Sequence, residues 1–488
     1  MSIRRSLAWM MFSQGGYMVL QFSSSVVVAR LLTPYEVGVY TAGAAIVGFL
    51  SVLQAFGLTL LVVREPEIDR HLSAGVFTMN AVINIILSFV IVALSALGGA
   101  FLHEAGVQRV MLVLAVLPLI GVLEFLPAAN LERNGEFRTI AATNLLRAVA
   151  MTGTTVGLAL AGLSYMSYPL GAVAASVVGA AGIMTAGRRY VSFRMGLTAW
   201  PKIIRFGLQQ VSIQGAPALS VRASEFLLGR LLGLSALGLY GRASNLSNMI
   251  WLNIHLVIAR VVMVDLADKK RKDVDLREPF LRTLEMVTAL MWPCFAGLGL
   301  LAGPLIRTIY GQKWVAAAPP LAALSVAAIL WVSISMTWEL FVLFNETGRQ
   351  ARLECLRSPV GLVMFVGGAL ISVTGAAIGR IAEAIFSVAL YRPHIERMTT
   401  TRLVDFIPIY RRSAILTAVA CAPALALMLI YDWSPETPFP LVIVAVAGGV
   451  GAWLATIKLT RHVLAGEVFS LLKRGRELVG ARANGWAG

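Results

Sequence analysis

Arg222 and Glu225 stand three residues apart inside an apolar run of a 488-residue chain. On a helix that spacing places both on one face. Ser220, Ser224 and Gln214 share parts of the same stripe. An arginine there suits a phosphate or pyrophosphate, because its planar fork of donors grips such groups in pairs. The alternative is a local pair in which Arg222 and Glu225 neutralise each other. A second polar stripe near the amino terminus holds Gln14, Tyr17, Gln21, Ser24 and Ser25. Arg147 and Arg260 are further cleft candidates, with snorkelling to a helix end as the alternative, and Arg242 shares that ambiguity. Glu124 and Glu339 occupy equivalent runs of two halves and suit coupling to a proton or sodium ion, or else a structural hydrogen-bonded role. Glu285 and Glu383 are also acids inside apolar runs. Such residues cost roughly 2.5–3.5 kcal/mol each at a bilayer centre, so they face a cavity or one another. No nucleophile motif or acid–base pair stands out, so no catalytic residue is expected. Cys294, Cys355 and Cys421 are isolated and histidines number five, so neither a metal site nor a cofactor is expected.

The elements that position these side chains follow from composition. Apolar residues make up 58% of the chain and charged ones 14%, well under the quarter typical of soluble proteins. Apolar runs of about 20 residues recur, the length a helix needs to cross a bilayer. Fourteen spans are predicted, near 8–29, 39–63, 74–101, 108–128, 139–162, 165–186, 206–229, 239–264, 283–308, 317–344, 358–374, 375–391, 412–431 and 439–459. Placing the amino terminus inside puts 31 of the 41 basic residues in inner segments. By the positive-inside rule both termini are then cytoplasmic. The net charge of +16 therefore reports topology rather than nucleic-acid binding. "MSIRRSLAWMMF" has the basic start of a signal peptide, but Gln14 and Gln21 interrupt its long apolar run and no small-residue cleavage site follows. It reads as an uncleaved first helix. External loops are short. The tail 463–480, "VLAGEVFSLLKRGRELVG", reads as an amphipathic helix on the anionic inner leaflet. Loop 265–282 carries mixed charge and reads as a solvated segment.

The chain also repeats itself. Residues 14–40 align without a gap on 214–240, so that "RLLTPYEVGVY" lies over "RLLGLSALGLY". Gln14, Gly15, Ser24, Arg30, Leu31, Leu32, Gly38 and Tyr40 are identical in the second copy. Six spans separate the copies, so the halves share one orientation, as in parallel repeats about an axis along the membrane normal. Thr33, Pro34 and Glu36 read as N-cap, N1 and N3 of a new helix, a capping box with proline where its missing N–H does no harm. The domain reading is a six-helix bundle at 1–190, a cytoplasmic linker at 191–205, a second six-helix bundle at 206–392, two added spans at 393–460 and a cytoplasmic amphipathic tail at 461–488.

Several stretches resemble a known family in order and spacing. They are "ARLLTPYEVGVYTAG" at 29–43, "LERNGEFR" at 131–138, "GLSYMSYPLGAVAAS" at 162–176, "RFGLQQ" at 205–210, "LLGLSALGLYGRASNL" at 231–246, "GPLIRTIYGQKWVAAAPPL" at 303–321 and "GAAIGRIAEAI" at 375–385. With these the chain resembles the Wzx-like polysaccharide flippases of the multidrug/oligosaccharidyl-lipid/polysaccharide exporter superfamily. The resemblance implies an all-α polytopic fold of two six-helix bundles plus two carboxyl-terminal helices. It implies transfer of undecaprenyl-pyrophosphate-linked oligosaccharide from the cytoplasmic to the periplasmic leaflet of a bacterial inner membrane, by alternating access and not by enzymatic chemistry. The products served would be exopolysaccharide, capsule or O-antigen, and a polysaccharide polymerase and other export proteins would be partners, with membrane lipid around it and no nucleic acid. Two other readings are a multidrug or small-solute cation-coupled antiporter of the same superfamily, and a membrane-embedded polysaccharide polymerase or ligase. The first wants a cleft dominated by carboxylates, and the second wants a sizeable external loop.

Overall fold

A computed structural model of the chain describes residues 16, 20–65, 69–197, 200–460 and 462–466. All regular structure among these residues is helical, as expected where lipid leaves backbone groups no water to bond. In chain order the helices are α1 Leu20–Leu31, α2 Pro34–Leu50, α3 Leu58–Arg64, α4 Arg70–Leu102, α5 Ala105–Leu114 and α6 Val116–Arg133. Then come α7 Phe137–Leu160, α8 Ser167–Ala186, α9 Trp200–Leu232, α10 Leu234–Arg271, α11 Arg277–Leu300 and α12 Ala302–Tyr310. The last are α13 Ala318–Ser333, α14 Thr337–Leu343, α15 Thr347–Ala369, α16 Val373–Thr399, α17 Leu403–Ile430 and α18 Phe439–Leu459. The protein is an all-helical polytopic membrane protein. Among the described residues, eight helical stretches are long and apolar enough to cross a membrane.

The first, second, fifth, seventh, eighth and eleventh expected spans are not among these eight. The first lies partly outside the described residues. The second is broken. The remaining four are α7, α9, α10 and α15, of 24, 33, 38 and 23 residues. α7, α9 and α15 are long enough, so polar side chains set them apart, among them Arg147, Arg222 and Glu225, whereas several side chains of α10 lie outside the described residues.

Three spans are discontinuous, a feature the apolar pattern did not predict. The second runs from α2 into a 3-10 turn at Ser51–Phe56, then through Gly57 at φ 64° into α3. Packing explains it. The Phe56 ring lies where a Cβ on Gly207 of α9 would fall 1.9 Å away, and Val52 packs 3.3 Å from the same point on Gly215. The fourth span bends at Ala115, whose carbonyl accepts from Ser88 Oγ at 2.7 Å. The tenth breaks at 334–336, with buried Met336 at φ 65°.

The chain forms two compact units. Unit one comprises Met1–Gly241, Ile309–Trp314 and Glu354–Ala376, and unit two comprises Arg242–Thr308, Val315–Leu353 and Ala377–Gly488. These packing groups divide the chain differently from the repeats, because α9 packs on α2, α4 and the 3-10 turn. In unit one, Leu61, Val62, Val76, Met79, Ala129 and Ile203 bring α3, α4, α6 and α9 into one apolar core. In unit two, α11 packs on α13 and α17, and α17 on α18. The tail from 467 onward lies outside the described residues.

Candidate functional site

The repeated turn meets its own copy. In the first copy Thr33 Oγ1 accepts from Glu36 N at 3.3 Å, while Thr33 N donates to Glu36 Oε2 at 2.7 Å. This is the expected capping box, with Pro34 in the first turn. Glu36 also accepts from Ser164 Oγ. In the second copy the chain turns through Gly233 at φ 86°. The two helices that follow, α2 and α10, then touch backbone to backbone. A Cβ on Gly38 would lie 1.8 Å from Leu234 O, and one on Gly238 would lie 2.0 Å from Pro34 O. Positions 34 and 234, like 38 and 238, are equivalent in the repeat. The contact is therefore reciprocal: each copy's glycine admits the other copy's carbonyl. Close beside it, Trp314 is fully buried and donates Nε1 to Ala29 O at 2.7 Å, and Arg30 Nε donates to Ile309 O at 3.3 Å.

Polar groups sit below this seam in unit one. Arg222 on α9 donates Nη1 to Glu225 Oε2 at 2.8 Å, with side chains 43% and 23% exposed. The local pair is thus made, yet it uses one of the five N–H donors of a half-open guanidinium. A Cβ on Gly48 of α2 would meet Arg222 Nε at 2.7 Å, so the arginine lies flat on that helix. Ser224 Oγ donates to Ser220 O and Ser220 Oγ to Ser358 O, at 2.7 and 3.2 Å. Nearby on α2, Tyr40 stacks on Tyr168 with centroids 4.6 Å apart.

Arg147 and Glu124 come together. Arg147 Nη2 donates to Glu124 Oε2 at 2.6 Å, joining α7 to α6. The guanidinium also fills the place of a Cβ on Gly179 of α8. Arg147 therefore ties three helices rather than reaching for a helix end. Glu339 differs from Glu124. It is buried on α14, just past the break at Met336, and has no ion-pair partner among the described residues. Gln21 is exposed and Ser24 half-buried on α1. Gln14 and Tyr17 lie outside the described residues, as do the side chains of Gln214 and Arg260, although their backbones belong to α9 and α10.

Three features escaped the sequence reading. One is a chain of carboxamides, Gln54, Asn84 and Asn80, linked side chain to side chain. The spacing of Asn80 and Asn84 in an apolar run was its available signal. Another is a cluster in unit two, where Glu285 lies 3.3 Å from Arg412 and 3.4 Å from His462. The third is an apolar cavity of about 410 Å³ in unit two, lined by residues of α10, α11, α12, α17 and α18, including Cys294, Leu305, Cys421 and Trp453.

Likeness to known proteins adds to this geometry. The polysaccharide biosynthesis protein family matches residues 27–319. The succinoglycan biosynthesis transport protein ExoT of Rhizobium meliloti (strain 1021) is 25% identical over 67% of this chain and 66% of its own length. The lipopolysaccharide biosynthesis protein WzxC of Escherichia coli (strain K12) is 23% identical over 62% of each. The match thus spans just under two thirds of these relatives. The lipid II flippase MurJ in its inward closed conformation superposes with a TM-score of 0.78 over 93% of this chain and 99% of its own, at 12% identity, which speaks for the fold alone. The family match runs from the first copy of the turn through the second copy and the Trp314 contact, and so embraces the reciprocal seam: the chain belongs to the polysaccharide biosynthesis protein family, in line with its Wzx-like resemblance.

Proposed function

We propose that the protein is a lipid-linked oligosaccharide flippase. It moves undecaprenyl-pyrophosphate-linked sugar repeat units from the cytoplasmic to the periplasmic leaflet of a bacterial inner membrane, for exopolysaccharide, capsule or O-antigen synthesis. Both termini are cytoplasmic, and fourteen spans are arranged as two six-span repeats, 1–190 and 206–392, with a linker at 191–205, two added spans at 393–460 and an amphipathic tail at 461–488. A polysaccharide polymerase receives the product.

The observation that carries this reading is the reciprocal glycine seam. Alternating access needs two related halves that meet at one membrane face and part there. Gly38 and Gly238 lie at the external ends of two such halves, and a contact of bare backbone has no interlocked side chains to unpick. The barrier relieved is the placing of a sugar-phosphate group in hydrocarbon. Arg222 offers donors to the pyrophosphate, and an inside-negative potential favours moving the anion outward by about 2.3 kcal/mol per charge per 100 mV. The apolar cavity of unit two suits hydrocarbon and offers nothing to the headgroup. Of the two acids suggested for ion coupling, Glu124 already has Arg147, which leaves Glu339 as the candidate.

The decisive experiment is reconstitution. Proteoliposomes holding the purified protein should flip a fluorescent prenyl-pyrophosphate oligosaccharide, and flipping no faster than in empty vesicles would end the reading. Arg222→Ala, at matched expression, should cut surface polysaccharide about tenfold, the scale of one lost charge-assisted contact. Full export would remove Arg222 as the headgroup contact. Export of cationic drugs in place of the glycolipid would favour an antiporter built on Glu339.

A further inference from the structure

We propose that Gln54 recognises sugar hydroxyls of the transported headgroup, and that Asn84 and Asn80 form the ladder that holds it in place. This deepens the flippase reading and rests on it. Gln54 Nε2 donates to Asn84 Oδ1 at 2.7 Å, and Asn84 Nδ2 donates to Asn80 Oδ1 at 3.0 Å and to Asn80 O at 2.8 Å. Each acceptor oxygen in the ladder is taken by the amide before it. The hydrogen bonds therefore run one way and leave the Gln54 carbonyl oxygen at the start. Asn80 and Asn84 are buried at 8% and 6% exposure, whereas Gln54 is exposed. At the far end Asn80 Nδ2 is buried with no hydrogen-bond partner among the described residues.

A ladder serving only to join the 3-10 turn to α4 would have no reason to end at an exposed amide. Apolar side chains could join those elements without burying two carboxamides, each of which is unfavourable in a dry interior. The backbone adds a second observation. Gln54 sits on the 3-10 turn that interrupts the second span, and interrupted helices at membrane depth are tolerated where they border a cavity or protein rather than lipid. An exposed glutamine at that depth likewise meets water or a ligand. The depth itself fits. The 17 residues of α2 reach about 25 Å from the external turn, which leaves Gln54 toward the cytoplasmic leaflet, where the sugar-bearing lipid is loaded.

The chemistry selects the ligand class. A carboxamide whose carbonyl oxygen bonds to none of the described residues, and which keeps a second N–H, both accepts and donates, as adjacent hydroxyls on a sugar do. A pyrophosphate only accepts and gains nothing from that oxygen. A cationic drug calls for a carboxylate.

The test uses the full-length protein in nanodiscs and two probes, citronellyl pyrophosphate and the same lipid carrying a disaccharide. Wild type should bind the glycosylated probe more tightly. Gln54→Ala should remove that preference, about fivefold for one hydrogen-bonding group, and leave citronellyl pyrophosphate binding unchanged. Asn84→Leu should remove part of it by loosening Gln54. Thermal melts of Gln54→Ala, an exposed position, check that the variant is folded. A preference kept in Gln54→Ala overturns the inference. A wild type that binds both probes equally overturns it too, yet leaves the flippase reading standing. Binding of neither probe overturns both.

Discussion

In the first copy of the repeated turn, Thr33 and Glu36 close a capping box, and Ser164 bonds to the same carboxylate. In the second copy, Gly233 turns the chain at φ 86°, and the position equivalent to Glu36 is Ala236. One copy is held by side chains and the other by backbone freedom. What they keep in common, Gly38 and Gly238, is the pair at which each admits the other's carbonyl. The difference separates two demands on the same eleven residues. Starting a helix can be done in several ways, so that solution has diverged. Letting two backbones touch leaves no room for any Cβ, so both copies use glycine.

The sharpest way to break this comparison is to fill the seam. A Cβ at either glycine would fall 1.8–2.0 Å from a backbone carbonyl oxygen, which cannot rotate away as a side chain can. Gly38→Ala and Gly238→Ala should each lower export about tenfold or more at matched expression, the scale of an overpacking penalty of about 1–3 kcal/mol. Because the contact is reciprocal, the two losses should be similar. Gly241→Ala is the control, since nothing lies within 4 Å of its Cβ site. Normal export from either seam variant would show that the halves need not meet there. In that case the glycines would belong to the turn alone.

Helix starting comes next in size. Gly233→Ala forces a side chain into the left-handed region, at a cost of about 1–2 kcal/mol. Thr33→Ala removes a cap, at about 1 kcal/mol. Melting temperatures should therefore fall further for Gly233→Ala than for Thr33→Ala. The reverse order would mean that side-chain anchoring, not backbone freedom, is the more demanding of the two solutions.

The same pair of turns marks how far the sequence could be read. The repeat, the capping box and the spans rest on local signals: identity at a fixed offset, residue types at N-cap, N1 and N3, and apolar length. The seam rests on a contact between positions 34 and 238, and nothing local to either names its partner. Arg147 with Glu124 is a similar case, since 23 residues and a turn between helices separate them. The break in the second span was hidden for a different reason. "FLSVLQAFGLTLLVV" is apolar throughout apart from Ser51, Gln54 and Thr59, and only Phe56 and Val52 packing on Gly207 and Gly215 turns part of it into a 3-10 stretch. Asn80 and Asn84 did carry a signal, being four apart on one face of an apolar helix. It was legible as polarity but not as a ladder, because Gln54 reaches Asn84 only once the span has broken.

The smallest expected effect concerns the charge that only the first copy carries. Glu36 lies in the external turn. Burial alone would raise its pKa, but hydrogen bonds from Ser164 and Thr33 and the charge of Lys313 outweigh it and hold the carboxyl below its usual range. A carboxylate whose pKa is lowered by folding stabilises the native state above its unfolded pKa, and the contribution is lost as pH falls through the folded value. Glu36→Gln keeps a capping-box residue at N3 and removes only the charge. The gap in melting temperature between wild type and Glu36→Gln should therefore be full near neutral pH and shrink below about pH 4.3, the ordinary glutamate value. The second copy has Ala236 in this place, so no matching pH-dependent term arises there. A gap that stays constant down to pH 3 would mean that Glu36 acts through shape and not charge. The two copies would then differ only in how they start a helix.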